Sequence, residues 1–485
     1  MTSIAFKSLL DQLSAIVGPA HVLIESDSND LVQYVRDWRG RERGVALAVV
    51  RPNSSEQVAA IVKACTATPG VSIVPQGGNT GMVVGSTPDA SGTQIVLSLQ
   101  RMNQVRKLDA GNGTITLDAG CVLQNVQQSC SDAGYLFPLS LGSQGSCTIG
   151  GNLGTNAGGT QVVRFGNTRE LCLGLEVVTA QGEIWSGLSG LRKDNTGYDL
   201  RDLFIGSEGT LGIITAATMK MYPQPAAKLT AFAAVPSMDA AVTLLGLAHK
   251  YLSAGLTGFE VMGQFALSLV GKHYPQQRVP FLGMLDSGVI APYCVVLENS
   301  DHESETHARE QFERLLEAAM EDGCVLDAVV AENMTQAKAL WHIRESIPLA
   351  QADEGLNIKH DISIPVSSIP DFVRVTDAKL EAAFPGARLV NYGHLGDGNL
   401  HYNVQAPEGS DQAAFLNDQE IGVNALVFEM VDQFGGSISA EHGVGSLKVD
   451  KLPYHKSPVA LELMRTIKRA LDPQNIMNPG RVVRV

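Results

Sequence analysis

The pattern of hydrophobic and polar positions in this chain changes near Pro223 and Pro225. Before these prolines, short apolar runs alternate with glycine-rich polar stretches, whereas after them strand-like runs alternate with segments of helical periodicity. The later pattern predicts strands at residues 229–235, 293–298, 325–331 and 358–365, and helices at residues 239–252, 304–322, 334–352, 366–380, 411–434 and 459–471. Such an alternation predicts an α+β domain with its helices on one face of a sheet.

The earlier part contains a compact glycine cluster directly after a predicted strand. Helices are predicted at residues 6–17 and after the capping pair Ser54 and Gln57, strands at residues 71–75, 94–99, 114–117 and 204–214, and a hairpin at residues 175–185. The strand at residues 71–75 runs into residues 76–81, Gln-Gly-Gly-Asn-Thr-Gly. Glycines allow backbone N–H groups to form a nest for phosphate oxygens, and a plain surface turn is the other interpretation of this cluster. The glycine spacing excludes a dinucleotide fingerprint, and no Gly-Lys-Ser/Thr follows that would make a P-loop.

A second glycine-rich stretch covers residues 141–159, and its composition predicts no regular element. Glycines at this density suit close approach of the backbone to a large ligand. Hydrogen bonds to such a ligand would come from Ser146, Thr148, Asn152, Thr155 and Asn156. A flexible linker is the other interpretation, but apolar residues interrupt the stretch and it contains no serine repeat.

Two β-prone runs flank Asp397-Gly398, a strong signal for a tight hairpin turn. A turn centred on this pair places His394 directly opposite His401, with Cβ atoms about 5 Å apart, and Asn403 points to the same face. With Glu441 as a third ligand, the two histidines leave a coordination position open, as in catalytic zinc sites. The same set suits non-haem Fe(II), so the spacing leaves the metal undecided.

Composition narrows the class of protein. The net charge is −14 and basic residues form no stripe with interleaved aromatics, which argues against nucleic acid as a partner. The seven cysteines are scattered without a Cys-x-x-Cys pair, which indicates reduced thiols rather than a metal cluster or a disulfide framework. The N-terminus lacks a signal-peptide pattern and no apolar run reaches membrane-spanning length, so the cytoplasm is the expected location.

Eight segments together carry a resemblance to a known family. They are residues 74–81 (VPQGGNTG), 145–152 (GSCTIGGN), 155–159 (TNAGG), 192–199 (RKDNTGYD), 204–214 (FIGSEGTLGII), 393–401 (GHLGDGNLH), 440–445 (AEHGVG) and 472–473 (DP). From about residue 45 to residue 480, the chain resembles FAD-linked D-2-hydroxyacid dehydrogenases of the vanillyl-alcohol oxidase type. Within that group it is most similar to the enzymes that act on D-2-hydroxyglutarate, with D-lactate dehydrogenases next.

The resemblance implies a two-lobed α+β FAD-binding domain over residues 1–225. It further implies an α+β substrate domain with the metal hairpin over residues 226–430, which caps the flavin ring, and a C-terminal segment over residues 431–485 that packs on the FAD domain. The implied cofactor contacts are Pro75, Gln76, Gly77, Gly78, Asn79, Thr80, Gly81, Ser146, Thr148, Gly151, Asn152, Asn156, Gly209, Ile214 and Asn478. Some relatives attach FAD through a histidine in the first glycine loop; Asn79 and Thr80 stand there, so we expect non-covalent FAD.

The resemblance also favours Zn²⁺ over iron, held by His394, His401 and Glu441. His442 would take the proton of the substrate's 2-hydroxyl as general base while hydride leaves C2 for flavin N5. Glu441 and His442 are adjacent in sequence, and neighbouring residues of a regular strand point to opposite faces. Both can therefore serve one site only if this segment is irregular, which Gly443 and Gly445 allow.

Substrate contacts are implied for Arg344, Lys359, Asn403 and His442. Pro348 stands where a substrate-contacting hydroxyl residue is expected in the hydroxyglutarate enzymes. Oxidation of D-2-hydroxyglutarate, and of other D-2-hydroxy acids such as D-malate, is the preferred function, and D-lactate oxidation is the alternative.

Two further hypotheses use parts of the same sequence. A zinc hydrolase would use the metal ligands but leaves both glycine-rich stretches unexplained, and an FAD-binding sensor would leave the histidines without a role. The expected electron acceptor is an electron-transfer flavoprotein or a quinone, because no dinucleotide fingerprint is present. A homodimer is the default expectation for the assembly.

Overall fold

The computed structural model describes residues 2–26 and 30–485. These residues form two compact units. Unit 1 comprises the described residues up to Gly158, together with Gly166–Pro223 and Glu441–Val485. Unit 2 comprises Gly159–Phe165 and Gln224–Ala440. The sequence predicts domain boundaries at residues 225 and 430. In the structure, Gly159 at the end of the second glycine-rich stretch belongs to unit 2, and the last segment of unit 1 begins at Glu441.

The strands, in chain order, are β1 (Val22–Leu23), β2 (Ala46–Val50), β3 (Ser72–Gln76), β4 (Gln94–Ser98), β5 (Val105–Asp109), β6 (Thr114–Asp118), β7 (Tyr135–Leu136), β8 (Cys172–Thr179), β9 (Ile184–Gly187), β10 (Gly212–Lys220), β11 (Tyr222–Pro223), β12 (Ala227–Val235), β13 (Leu256–Gly263), β14 (Tyr293–Asp301), β15 (Asp327–Val330), β16 (Asn357–Ile358), β17 (Asp361–Ser363), β18 (Arg388–Gly393) and β19 (Asn399–Gln405).

The α-helices are α1 (Thr2–Val17), α2 (Val32–Val35), α3 (Ser55–Thr66), α4 (Leu123–Asp132), α5 (Ile149–Thr155), α6 (Val162–Phe165), α7 (Thr168–Leu171), α8 (Arg201–Phe204), α9 (Met238–Leu252), α10 (Gln264–His273), α11 (Glu305–Asp322), α12 (Met334–Glu354), α13 (Ile369–Ala383), α14 (Gln412–Gln433), α15 (Leu452–His455) and α16 (Pro458–Leu471). Short 3-10 turns lie at Pro19–His21, Ser253–Gly255, Val366–Ser368 and Leu395–Asp397. Within the described ranges, no helix is both long enough and apolar enough to cross a membrane.

Unit 1 contains two larger sheets, which are the two lobes expected from the sequence, and a two-stranded sheet of β7 and β11. The first has the order β1-β2-β4-β3, with β2, β4 and β3 parallel. The second is antiparallel, with the order β5-β6-β10-β8-β9, and β8 and β9 form the predicted hairpin. The C-terminal segment joins the first sheet, because Met477 forms a parallel bridge with Ile73 of β3.

Unit 2 is built on one antiparallel sheet with the order β15-β12-β14-β13-β18-β19-β16, and β17 also pairs with β19. One face packs against α9, α11, α13 and α14, and the other face packs against α10 and α12. The expectation that the helices cover one face only is therefore wrong. The physical reason is visible in β13, where Phe259 and Val261 enter one hydrophobic cluster and Met262 enters the other.

Two predictions for unit 1 are also wrong. Residues 141–159 contain α5, which begins after Thr148 in an extended conformation and ends at Asn156 in the left-handed region. The strand predicted at residues 204–214 begins only at Gly212, because Glu208 and Gly209 have φ values of 52° and 71°, which a strand does not accommodate. Local composition missed both conformations.

A charge cluster ties the end of α12 to its neighbours in unit 2. Glu354 accepts hydrogen bonds from Lys272, His273 and Arg388 at 2.6, 2.8 and 2.7 Å. Burial opposes ionisation of Glu354, but these three bonds outweigh it and lower the pKa of Glu354 to about 2. The cluster therefore stabilises unit 2 while Glu354 is ionised.

Candidate active site

The loop after β3 has room only for glycine at its first two positions. A Cβ atom at Gly77 would lie 2.2 Å from Thr148 Oγ1, and one at Gly78 would lie 1.9 Å from the carbonyl oxygen of Ser146. The first glycine loop thus packs directly on the second glycine-rich stretch, at the carboxyl end of the parallel strand β3. Backbone N–H groups in a glycine loop at such a position suit phosphate oxygens.

The side chains of Gln76, Thr148 and Asn478 each bury a polar atom that has no hydrogen-bond partner in the described part of the chain. The Asn478 amide nitrogen is anchored, because it donates to the carbonyl oxygens of Gly85 and Glu208 at 2.9 and 2.7 Å. A buried polar atom without a partner costs free energy unless a ligand or water satisfies it. These three atoms therefore fit a cofactor rich in phosphate, hydroxyl and ring heteroatoms.

Asn79 holds the first glycine loop in place. Its φ is 53°, and its amide nitrogen donates to the carbonyl oxygens of Gln33 and Arg36 at 3.0 and 2.9 Å. Thr80 and Gly81 follow in the same loop, the first half-buried and the second exposed. The amide at position 79 thus has a structural task in addition to its predicted contact with the cofactor.

Two more of the predicted cofactor residues meet beside this loop. A Cβ atom at Gly209 would lie 2.9 Å from Pro75 Cγ, and Gly209 has a φ of 71°. The remaining predicted contacts lie on α5, at its C-terminal cap and in β10, and they are Gly151, Asn152, Asn156 and Ile214. Unit 1 therefore gathers the glycine loop, the second stretch and the turn before β10 in one region.

Glu208 had no predicted role, yet it fixes the backbone that follows His442. Its two carboxylate oxygens accept the N–H groups of Val444 and Gly445 at 2.7 and 2.8 Å. Burial raises the pKa of Glu208, and these two N–H groups partly oppose that rise. The segment is irregular, with φ values of 84° at Gly443 and 52° at Gly445. A lone acid in the glycine-rich run before β10 was the sequence signal for this residue.

The metal-site hairpin has a different register from the predicted one. β18 and β19 pair so that His401 faces Tyr392 and not His394. His394 instead precedes the 3-10 turn Leu395–Asp397, and Gly398 closes the loop with a φ of 86°. The loop is longer than the predicted two-residue turn, which moves the pairing along the strands. The two imidazole rings are nevertheless close, with their centroids 5.5 Å apart.

Glu260 is a residue of this site for which the sequence predicted no role. β13 and β18 pair through Val261 and Gly393, so the next position in register brings Glu260 to His394. The Glu260 carboxylate accepts from His394 Nδ1 at 2.5 Å and from Arg344 Nε at 2.7 Å. Burial opposes ionisation of Glu260, but its interactions with His394 and Arg344 outweigh burial and hold the pKa of Glu260 below its ordinary value. A single acid inside the apolar run of β13 was the available signal.

Helix α12 lies close enough to contact the Glu260 carboxylate because β13 has no side chain at Gly258. A Cβ atom at Gly258 would lie 2.8 Å from the Trp341 ring. Trp341 and Arg344 are three residues apart on one helix face, and Gly258 and Glu260 share one face of β13. The Arg344 guanidinium also lies over the Tyr392 ring, 5.0 Å from its centroid.

Asp361 is a second acid without a predicted role. β17 pairs with β19 so that Asp361 faces His401, and ligand atoms of the two side chains lie within 4.8 Å of each other. Ala440 is the last residue of unit 2, and its N–H donates to the Asp361 carbonyl oxygen at 3.3 Å. Glu441 and His442 are the next two residues, so chain connectivity alone keeps them within about 8 Å of Ala440. Imidazole and carboxylate donors of this kind suit Zn²⁺ or Fe(II).

Three of the four predicted substrate contacts, Arg344, Lys359 and Asn403, lie in unit 2, whereas His442 lies in unit 1. Lys359 is half-buried between β16 and β17, where the predicted strand is interrupted. Asn403 is buried on β19; its oxygen accepts the His360 N–H and its nitrogen donates to the Gln351 side chain, both at 2.9 Å. Pro348 lies inside α12.

Two family models match this chain. One is described as an FAD binding domain and matches residues 46–187, and the other, described as the C-terminal domain of FAD linked oxidases, matches residues 224–482. The second match covers more than half of the chain. The chain belongs to the FAD-linked oxidase family. It is therefore an FAD-dependent oxidoreductase, which confirms the predicted cofactor FAD and the predicted class of enzyme.

Curated relatives cover nearly the whole of this FAD-linked oxidase. D-2-hydroxyglutarate dehydrogenase from Bos taurus, described as mitochondrial, is 39% identical over 480 residues, which is 98% of this chain and 83% of that protein. D-2-hydroxyglutarate dehydrogenase from Stutzerimonas stutzeri (strain A1501) is 38% identical over 479 residues, which is 98% of each chain. These matches confirm the predicted resemblance.

Solved structures agree on the fold. p-Cresol methylhydroxylase with substrate bound gives a TM-score of 0.74 at 18% identity, covering 99% of this chain and 97% of that chain. Alkyldihydroxyacetonephosphate synthase gives a TM-score of 0.72 at 16% identity, covering 98% and 84%. The two-domain fold of the vanillyl-alcohol oxidase type is thereby confirmed.

Proposed function

We propose that this FAD-linked oxidase is a zinc-dependent dehydrogenase that oxidises D-2-hydroxyglutarate to the 2-oxo acid by hydride transfer to flavin N5. The observation that carries the proposal is the similarity, at 38–39% identity over 98% of the chain, to D-2-hydroxyglutarate dehydrogenases from an animal and a bacterium. Other D-2-hydroxy acids such as D-malate would be slower substrates.

FAD would be held non-covalently by the first glycine loop and by the buried polar atoms of Thr148 and Asn478. When bound, it supplies the two-electron acceptor for the reaction. The close packing at Gly77 and Gly78, where a Cβ atom would clash with the second glycine-rich stretch, supports this assignment. Asn79 offers no nucleophile for a covalent bond to the flavin and is already engaged by backbone carbonyl groups.

Zn²⁺ would be held by His394, His401 and Glu441, with Asp361 beside His401. When bound, it supplies a Lewis acid for the substrate's 2-hydroxyl. Glu260 accepts a hydrogen bond from His394 Nδ1–H, which leaves Nε2 as the nitrogen suited to a metal. His442 would accept the hydroxyl proton as general base.

The substrate's carboxylates would be bound by Arg344 and Lys359, with Asn403 as a further polar contact. The net charge of −14 repels a dianionic substrate, so local cations have to offset it. Arg344 suits this task because a guanidinium can bind a carboxylate through two parallel hydrogen bonds. Asn403 already makes two hydrogen bonds within unit 2, and its amide can make one more at each end.

An electron-transfer flavoprotein or a quinone would reoxidise the flavin, and a homodimer remains our proposal for the assembly. D-lactate is the second candidate substrate, because Pro348 inside α12 supplies no hydroxyl for a five-carbon diacid. The hydrolase hypothesis leaves the matched FAD-binding domain without a role.

The test is anaerobic bleaching of the purified yellow protein by D-2-hydroxyglutarate, D-lactate, D-malate and their L-enantiomers. We expect fastest bleaching with D-2-hydroxyglutarate and none with the L-acids. Activity should be lost with a chelator and restored by Zn²⁺. Restoration by Fe²⁺ alone would refute the zinc assignment, and faster bleaching by D-lactate would refute the substrate assignment.

A further inference from the structure

A single buried carboxylate serves two groups that have different proposed tasks. The Glu260 side chain is fully buried, with 0% of its surface exposed. One of its oxygens accepts from His394 Nδ1, and the other accepts from Arg344 Nε. His394 is a proposed metal ligand, and Arg344 is a proposed substrate contact.

We propose that Glu260 is a positioning residue that holds His394 and Arg344 as one unit, so that metal binding and carboxylate binding both depend on it. The inference rests on the proposed function, because that function assigns the metal to His394 and the substrate carboxylate to Arg344. Nothing in the proposed chemistry requires Glu260 to touch either ligand.

On the histidine side, Glu260 decides which ring nitrogen faces outward. A carboxylate that accepts from Nδ1 favours the tautomer with its lone pair on Nε2, and it raises the basicity of that nitrogen. It also stops rotation of the ring about its Cβ–Cγ bond. His394 itself lies directly after β18, at the start of the 3-10 turn Leu395–Asp397.

On the arginine side, Glu260 fixes the plane of the guanidinium. The carboxylate contacts Nε, and the Tyr392 ring lies 5.0 Å from Arg344 Cζ. A guanidinium that is held at Nε and packed on a ring has a defined orientation for its two terminal amino groups, which a carboxylate needs for bidentate binding. Loss of Glu260 would remove one of these two constraints.

The strand register explains why one residue can do both. Continuing the β13–β18 pairing from Val261 and Gly393 brings Glu260 to His394. The missing side chain at Gly258 lets Trp341 of α12 approach β13, and Arg344 follows one turn later on the same helix face. The loop and the helix therefore meet at one position of one strand.

Two substitutions separate charge from shape. Glu260→Gln keeps the volume of the side chain and removes its charge, and Glu260→Asp keeps the charge but shortens the reach by one methylene. The control is Glu354→Gln in the same unit, since Glu354 is also a buried, ion-paired glutamate but contacts Lys272, His273 and Arg388 instead. All three variants are prepared as full-length protein with FAD.

Zinc affinity is measured first by competition with a chromophoric chelator, without substrate. We expect Glu260→Gln to weaken zinc binding about 10- to 100-fold, Glu260→Asp to fall between wild type and Glu260→Gln, and Glu354→Gln to match wild type. Binding of the 2-oxo acid product to metal-depleted protein is measured next by flavin absorbance. There we expect Glu260→Gln to bind the product about tenfold more weakly, because Arg344 loses its orientation. Since no metal is present in this assay, the loss cannot come from the metal site.

If Glu260→Gln lowers only the melting temperature, while both affinities per folded molecule equal those of wild type, Glu260 is a packing residue and the proposal is wrong. A change in only one of the two affinities would equally overturn the claim that both depend on it. Wild-type protein that binds no zinc or is not bleached by D-2-hydroxyglutarate would instead refute the proposed function, which separates the two failures.

Discussion

Replacing Gly78 with alanine tests the packing on which the FAD site depends. The new Cβ atom would lie 1.9 Å from the carbonyl oxygen of Ser146, 2.8 Å from its carbonyl carbon and 3.2 Å from Cys147 Cα. All three neighbours are backbone atoms, so no side chain can rotate away. The two glycine-rich segments must therefore move apart by more than 1 Å to restore ordinary contact.

Overpacking of this kind costs about 1–3 kcal/mol. Because the two segments form the FAD cradle, we expect part of this cost to appear as weaker FAD binding. At about 1.4 kcal/mol for each factor of ten, the dissociation constant of FAD should rise by up to about 100-fold.

The assay is titration of apoprotein with FAD, followed by flavin fluorescence, together with the melting temperatures of the apo and holo forms. Two controls are available. A Cβ atom at Gly142 or at Gly81 would meet nothing within 4 Å. Gly142→Ala should behave as wild type. Gly81→Ala should leave the apoprotein as stable as wild type but weaken FAD binding, because Gly81 is a predicted FAD contact with no protein atom in the way of a Cβ.

If Gly78→Ala binds FAD as tightly as wild type and melts at the same temperature, the close contact between the two segments is not present and the reasoning fails. If Gly142→Ala loses FAD to the same extent, the effect of Gly78→Ala cannot be assigned to the contact with Ser146.

Three other substitutions test separate parts of the structure. Thr148→Val should leave the apoprotein as stable as wild type or about 1 kcal/mol more stable, because the hydroxyl is buried without a partner. The same variant should bind FAD more weakly. Equal losses of apoprotein stability and of FAD affinity would contradict this prediction. Gly258→Ala should destabilise unit 2 by about 1–3 kcal/mol, since its Cβ would lie 2.8 Å from the Trp341 ring. It should also raise the KM for the hydroxy acid, because α12 is displaced. An unchanged midpoint of urea unfolding would argue against the contact between Gly258 and Trp341. Glu354→Gln should cost about 1–3 kcal/mol at pH 7, because the folded pKa of Glu354, about 2, lies below the ordinary 4.5. That stabilisation is complete above pH 4.5 and is lost as the pH falls towards 2, so the difference between Glu354→Gln and wild type in urea unfolding should shrink on acidification, and a constant difference from pH 7 to pH 3.5 would rule out this origin.

The sequence by itself determined the cofactor class and much of the local structure. The glycines of residues 76–81 made a phosphate-binding loop one of two interpretations, and the family resemblance favoured it over a plain surface turn. Helix caps such as Ser54, whose side chain accepts the Gln57 N–H, are equally local. The irregular segment after His442 could be anticipated from its glycines for the same reason.

Only the tertiary structure decided which side chains meet at the hairpin. Whether His401 faces His394, Tyr392 or Asp361 depends on strand register and on the neighbouring strands, and these are set by loop length and by packing across the whole sheet. Glu260 and His394 are 134 positions apart, so no local pattern links them. Their contact exists because β13 and β18 are neighbours in the sheet and because burial of a charge is tolerated only where partners offset its desolvation.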